Sequence, residues 1–169
     1  MTQPLVPRPE FDAEGEIGPQ ELRLDLPAAH SAARMARHLI RQFARAGGLP
    51  ESELDQLTLV ADELLSNAVD HGGGAAALEE SEQRESSRMN MQLFVSATSW
   101  EVHVADQGGG DPDVVRALVA PPDGVPDLED ERGRGFFLMA QMVDSLEVRR
   151  SADGLGIEMV ARRSGLGGA

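Results

Sequence analysis

The chain has 169 residues, 41% of them apolar, enough for one domain built on a single buried core. Its 29 acidic residues outnumber 15 basic ones, giving a formal net charge of −14, and all 15 basic residues are arginine. With no lysine, cysteine or tyrosine, the composition excludes a lysine-dependent phosphate loop, Schiff-base chemistry, thiol nucleophiles, disulfides and thiolate zinc sites. The acidic balance argues against direct nucleic-acid binding, which leaves a basic footprint. No stretch approaches the ~18 apolar residues of a membrane span, and the first residues lack a signal pattern. The expectation is a soluble, cytoplasmic chain with no membrane partner.

Residues 1–19 mix prolines, glycines and acids without periodicity and read as a disordered leader. Glu21 to Leu26 alternates strictly, predicting a short strand with Leu22, Leu24 and Leu26 on one face, ended by Pro27. From Ala28 to Ala46 the set Ala36, Leu39, Ile40, Phe43 and Ala44 follows helical spacing, and Gly47-Gly48 closes the segment. Arg34, Arg37, Arg41 and Arg45 form a narrow stripe on the opposite side, because helical residues advance ~100° each. A second helix runs from Glu51 or Ser52 to about His71, with Leu54, Leu57, Ala61, Leu64, Leu65 and Ala68 as its apolar side. Residues 72–88, Gly/Ala-rich and then charged, read as a surface insertion.

Two alternating strands follow, Met89/Met91/Leu93/Val95 and Trp100/Val102/Val104, with a turn near Ala97–Ser99. Gln107 to Arg132 is Gly/Pro-rich and acidic, with one helical turn at Asp113–Leu118. Gly135 to Asp144 has helical character through Phe137, Met139, Ala140 and Val143. Strands near Leu146–Arg149 and Ile157–Arg162 and a flexible tail at 164–169 complete the chain. Clustered strands, not a regular strand–helix alternation, imply an α+β fold: a two-layer α/β sandwich with a mixed, mostly antiparallel sheet covered on one face by helices.

Three segments carry chemistry. In DELLSNAVDHG, Glu63 and Asn67 stand one turn apart, and Asp70 and His71 continue the same helix face. A carboxylate and a carboxamide so placed can hold a divalent ion and a reacting hydroxyl, although a solvated helix face has the same pattern. In VHVADQGGGDP the alternation places Asp106 on the apolar side of its strand, where a buried carboxylate needs a partner such as a ligand amino group. Gly108, Gly109 and Gly110 permit close backbone approach, as in any tight loop. In EDERGRGFFLMAQMVD, Gly133-Arg134-Gly135 precedes an apolar helix. Free amides, the helix dipole and the guanidinium groups of Arg132 and Arg134 would there make an anion site, or simply a glycine-bounded helix start.

As a set, Glu63-x-x-x-Asn67, Asp106-x-Gly108-x-Gly110 and Gly133-x-Gly135 resemble the N box and two glycine boxes of the GHKL ATPase superfamily. ADELLSNAVDHG and GRGFFLMAQMVD are most similar to RsbW-type anti-sigma serine/threonine kinases, over roughly residues 22–162. The resemblance implies a GHKL-type ATP-binding domain over residues 20–163, with 111–132 as the ATP lid. It implies ATP and Mg²⁺ as ligands, Asn67 on the metal and Glu63 as general base. Asp106 would read the adenine amino group, and Gly108, Gly110, Gly133 and Gly135 would form the glycine boxes. Arg132 or Arg134 would reach the triphosphate, and Asp70 and His71 would line the nucleotide. The final strand departs from the pattern: the family's usual Thr is Ile157, which cannot donate a side-chain hydrogen bond.

The function so implied is ATP-dependent phosphoryl transfer to a serine or threonine of a STAS-domain anti-sigma antagonist, with a sigma factor as second partner and a homodimer as the family's frequent assembly. The alternative is a non-catalytic protein that binds ATP or sequesters the sigma factor. There the Arg34/Arg37/Arg41/Arg45 stripe would offer a basic surface to an acidic partner, or else be a solvated face. Retention of Glu63 and Asn67 favours the enzyme. The ATP-binding domain is expected to occupy the chain and leave no hairpin for an acceptor histidine, so His30 and His38 read as surface or core-edge residues.

Overall fold

The computed structural model describes residues 19–72, 87–121, 123–125 and 127–166; the side chain of His71 lies outside that description. The leader and the insertion lie almost entirely outside the described residues, as do residues 167–169 of the tail. The elements are β1 (Gln20–Pro27), α1 (His30–Ala46), α2 (Glu51–Gly72), β2 (Arg88–Val95), β3 (Trp100–Ala105), α3 (Pro112–Val119), α4 (Glu131–Met142), β4 (Ser145–Arg150) and β5 (Ile157–Arg163).

The strands form one sheet in the order β1-β2-β3-β5-β4. All four pairings are antiparallel. From β3 the chain passes through α3 and α4 to the edge strand β4, then returns as β5 between β4 and β3. This return matters for the site, because it sets the end of β3 beside the start of β5 in the middle of the sheet. Residues alternating along each strand supply one inner face. Leu93 opposes Leu22 and Val102, and Val104 opposes Met91 and Met159. Across that layer lies α2, with Leu54, Leu57, Ala61, Leu64, Leu65 and Ala68 all buried as the periodicity requires. Each of these buried leucines contributes roughly 1.5–3 kcal/mol through burial.

The first helix packs differently from its sequence pattern. Its buried residues are Ala32, Ala33, Ala36, Ile40 and Ala44, whereas Leu39 is 46% exposed. Four alanines let α1 lie close to α2, and the larger Leu39 is left on the outside. The arginine stripe then faces α2. Arg37 pairs with Asp62, Arg41 with Asp55 at 2.7 Å, and Arg45 with Glu51 at 2.7 Å. Only Arg34 of the four is exposed without an ion-pair partner among the described residues.

Two further boundaries shift. The single turn expected at Asp113–Leu118 is a two-turn helix, α3, opened by Pro112 and capped by the Asp111 side chain, which accepts from Asp113 N–H at 2.9 Å. It is docked, not loose: Val115 is buried, and Arg116 Nε donates to the Val148 carbonyl at 2.8 Å. The second correction concerns α4, which starts at Glu131, so Gly133 and Gly135 lie within its first turns and not before it. The Asp130 carboxylate caps it by accepting from Arg132 N–H at 2.9 Å. That strong cap outweighs the low helix propensity of two glycines. Its buried face is Gly133, Phe136 and Met139, while Phe137 and Leu138 point outward.

Candidate functional site

The long α2 carries one polar face over the sheet. Glu63, Ser66, Asn67 and Asp70 from this helix line an open cleft of about 540 Å³ together with His30 of α1 and Asp130, Glu131, Arg132 and Gly135 around the start of α4. A second, narrow pocket of about 10 Å³ lies beside it, formed by Leu64, Asn67, Ala68, Val104, Asp106, Arg132, Ile157 and Met159. Asn67 and Arg132 belong to both. The sequence-predicted residues Glu63, Asn67, Asp70, Asp106, Arg132 and Gly135 therefore converge, although they come from three separate segments.

Asn67 is held by its own helix. Its Nδ2 donates to the Glu63 carbonyl at 2.8 Å, which leaves Oδ1 as the acceptor offered to the cleft. A neutral oxygen of this kind suits a hard cation such as Mg²⁺, which takes few protein ligands and completes its shell with water and phosphate. Among the described residues no group of three or more His, Asp or Glu is placed to hold a metal ion, so a cation here would rely on Asn67 and its ligand's own oxygens. The Glu63 carboxyl is half-buried, and burial, reinforced by the nearby charges of Asp62 and Glu131, holds its pKa above the ordinary value. Gly135 leaves room for this carboxyl on the other side. A methyl there would stand 3.2 Å from Glu63 Oε2.

Asp106 ends the inner face of β3 as its alternation requires. Its Oδ1 accepts from the Gly108 amide at 2.9 Å and the Ile157 amide at 3.3 Å. Burial pushes its pKa up, opposed by those two amides and by the charges of Arg132 and Arg150. Its residue pairs with the entry of β5 by backbone as well, donating to the Ile157 carbonyl at 3.0 Å. Ile157, where the resemblance leads one to expect a threonine, offers this carboxylate a backbone donor and no side-chain donor. Glycines make the approach possible. Gly110 takes the space beside Ile157 Cδ1, 2.9 Å from where a methyl would sit, and Gly109 has φ of +70°.

The remaining expectations divide. Gly108, Gly110 and Gly133 shape the loops and the α4 packing without lining either cavity, and Arg134 is exposed away from both. Gly133 abuts the segment that leads into α4, where a methyl would come 2.7 Å from the Asp127 carbonyl oxygen. The glycine-rich amides expected to be free for an anion are largely engaged by α4 itself: Asp130 takes Arg132 N–H, and Arg134 N–H donates to the Asp130 carbonyl at 2.9 Å. His71 is placed in the last turn of α2, and its side chain lies outside the described residues.

Sequence reasoning missed two residues. Gly156 lies directly under Asp106, and a methyl on it would fall 2.3 Å from Asp106 Oδ1. The one available signal was a glycine immediately before the last strand. His30, read as a surface or core-edge residue, lines the cleft and bonds through Nε2 to Asp70 Oδ1 at 2.8 Å. No spacing pattern joins residues 40 apart.

Comparison with known proteins agrees with this architecture. Residues 26–161 match the family model described as the histidine kinase-like ATPase domain. Among solved structures, the RsbU and RsbW domains of Rv1364c from Mycobacterium tuberculosis superpose with a TM-score of 0.55 at 16% identity, covering 86% of this chain and 32% of that one. The chain thus spans about a third of that longer protein. The SiaB–SiaC complex from Pseudomonas aeruginosa superposes with a TM-score of 0.58 at 16% identity, covering 84% of this chain and 88% of the other. No curated protein matches. At these identities the structural likenesses establish the shared fold.

Proposed function

The chain belongs to the histidine kinase-like ATPase family, and from that premise we propose that it is an ATP-dependent kinase that phosphorylates a serine or threonine of a STAS-domain antagonist, and so controls a sigma factor. The observation that carries this reading is the Glu63–Asn67 pair, one turn apart on α2 and facing one cleft, with Asn67 Oδ1 holding no hydrogen bond among the described residues. Asn67 is the residue that would hold Mg²⁺, which when bound supplies charge neutralisation along the phosphates. Asp106, fixed by two backbone amides, faces the adenine amino group. Glu63 accepts the proton of the acceptor hydroxyl, and its raised pKa brings it closer to neutral operating pH than an ordinary carboxylate. Fold likeness to an RsbW domain and to the SiaB–SiaC complex supports a role in partner switching.

The test is transfer of label from radioactive ATP, with Mg²⁺, to a candidate STAS protein. Wild type is expected to label the partner. Glu63→Gln is expected to lose at least ~100-fold in rate, the usual contribution of a positioned base, while MgATP affinity changes little. A base must be deprotonated to act, so the wild-type rate is expected to fall as pH drops through the Glu63 pKa, with that limb above the usual carboxylate range. Glu131→Gln removes one of the neighbouring charges and is expected to move the limb to lower pH. Tight partner binding with no label transferred would favour sequestration, and a wild type that binds no MgATP would end the reading.

A further inference from the structure

Resting on the nucleotide-site reading, we propose that Arg132 determines which adenine ligands the site accepts: its guanidinium holds the nucleobase pocket beside Asp106, and only a ligand that brings phosphates into the adjoining cleft draws it out.

Arg132 is the cation common to the two cavities. Its guanidinium carbon lies 5.6 Å from the centroid of the fully buried Phe136 ring, one helical turn on. Its charge favours the Asp106 carboxylate, and Asp106 in turn favours its charge against the cost of burial. Its Nε is buried with no hydrogen-bond partner among the described residues. A planar cation with a buried, unspent donor thus lines the same small pocket as the half-buried Asp106 carboxylate, the proposed partner of the nucleobase amino edge.

Volume makes the same point. The pocket's free space of about 10 Å³ holds no more than one water, so a base enters only after lining side chains move, and Arg132 is the long side chain among them that also lines the open cleft. The backbone need not follow, because Asp130 anchors Arg132 N–H and the side chain reaches the cleft from the same helix position.

The destination decides whether leaving is favourable. Among the described residues the cleft is lined by the carboxylates of Glu63, Asp70, Asp130 and Glu131, with His30 as its other basic side chain. Adenosine would move the guanidinium off the Phe136 ring and out of the pocket it shares with Asp106, and offer it in exchange only the cleft's carboxylates. Of these, Asp70, Asp130 and Glu131 are exposed and screened by water, so that each pairing contributes little. A triphosphate places oxygens in the cleft that accept charge-assisted hydrogen bonds from the same guanidinium. Discrimination then arises from a penalty on the wrong ligand as well as an attraction to the right one.

Isothermal titration of the full chain with adenosine and with MgATP tests this. In wild type, MgATP is expected to bind and adenosine to bind far more weakly. Arg132→Ala is expected to tighten adenosine about tenfold and to weaken MgATP about tenfold, so that the ratio of affinities collapses by about 100-fold. Arg132→Gln, which keeps the stem and removes the charge, is expected to move both affinities in the same directions and decides the matter should the alanine variant fold poorly. Adenosine affinity that is unchanged or weaker in a folded variant overturns the role of Arg132 while leaving the kinase reading intact. A wild type that binds neither ligand overturns the kinase reading and this inference with it.

Discussion

At the scale of single residues, the tightest constraint in the site is the contact of Gly156 with Asp106. A methyl on Gly156 would stand 2.2 Å from the Asp106 carbonyl oxygen and 2.3 Å from Oδ1. Neither neighbour is the free end of a long side chain: the carbonyl is main chain of a residue whose own N–H donates to the Ile157 carbonyl, and Oδ1 is tied to two amides. Gly156→Ala is therefore expected to destabilise the fold by about 1–3 kcal/mol, the usual cost of overpacking, and to weaken adenine-nucleotide binding. Thermal unfolding and nucleotide titration of the variant check both effects. Asp106 itself was legible in the sequence, because strand alternation puts it on the apolar face. Gly156 was not, since its constraint arises from a residue 50 positions away that only the β3–β5 register brings alongside.

At the scale of elements, α4 and the α1–α2 pair show how local chemistry overrides local pattern. The glycines of Gly133-Arg134-Gly135 suggested a turn, yet the helix starts three residues before Arg134 because Asp130 caps it. Asp130→Ala is expected to lower stability by about 1 kcal/mol, measurable as a lower thermal midpoint, with the loss concentrated in the first turn of α4. Hydrogen exchange of the Arg132 and Gly133 amides would localise it. For α1, the stripe of four arginines was plain from spacing, but its partner was not. The structure sets Arg37, Arg41 and Arg45 against Asp62, Asp55 and Glu51 of the antiparallel α2, so charge there joins two helices of one chain. Pairs this exposed are screened by salt and contribute little each; their consequence is that only Arg34 of the stripe remains as a free cation among the described residues.

At the scale of the whole molecule, α2 is fastened at both ends, and the site depends on that. Near its start, the buried Glu53 pairs with Arg163 of β5 at 2.8 Å and accepts from Trp100 Nε1 of β3 at 3.4 Å. Near its end, Asp70 bonds to His30 of α1. Between these anchors, Glu63 and Asn67 are presented to the cleft. Trp100→Ala is expected to cost about 3–5 kcal/mol, as large-to-small core changes do, a loss that denaturant unfolding would show to exceed that of Asp130→Ala. What the sequence by itself determined was local and periodic: the strand faces, the leucine side of α2, the Glu63–Asn67 spacing, the placement of Asp106 and a chemistry without lysine or thiol. These depend on residues within a turn or two of one another, where backbone geometry alone decides the direction of a side chain. Only the tertiary structure decided that Arg132 lines the small pocket beside Asp106 as well as the open cleft along α2, that His30 meets Asp70, and that Gly156 abuts Asp106. Each of these joins groups from different elements, and their contact follows from sheet order and helix packing, which no spacing along the chain encodes.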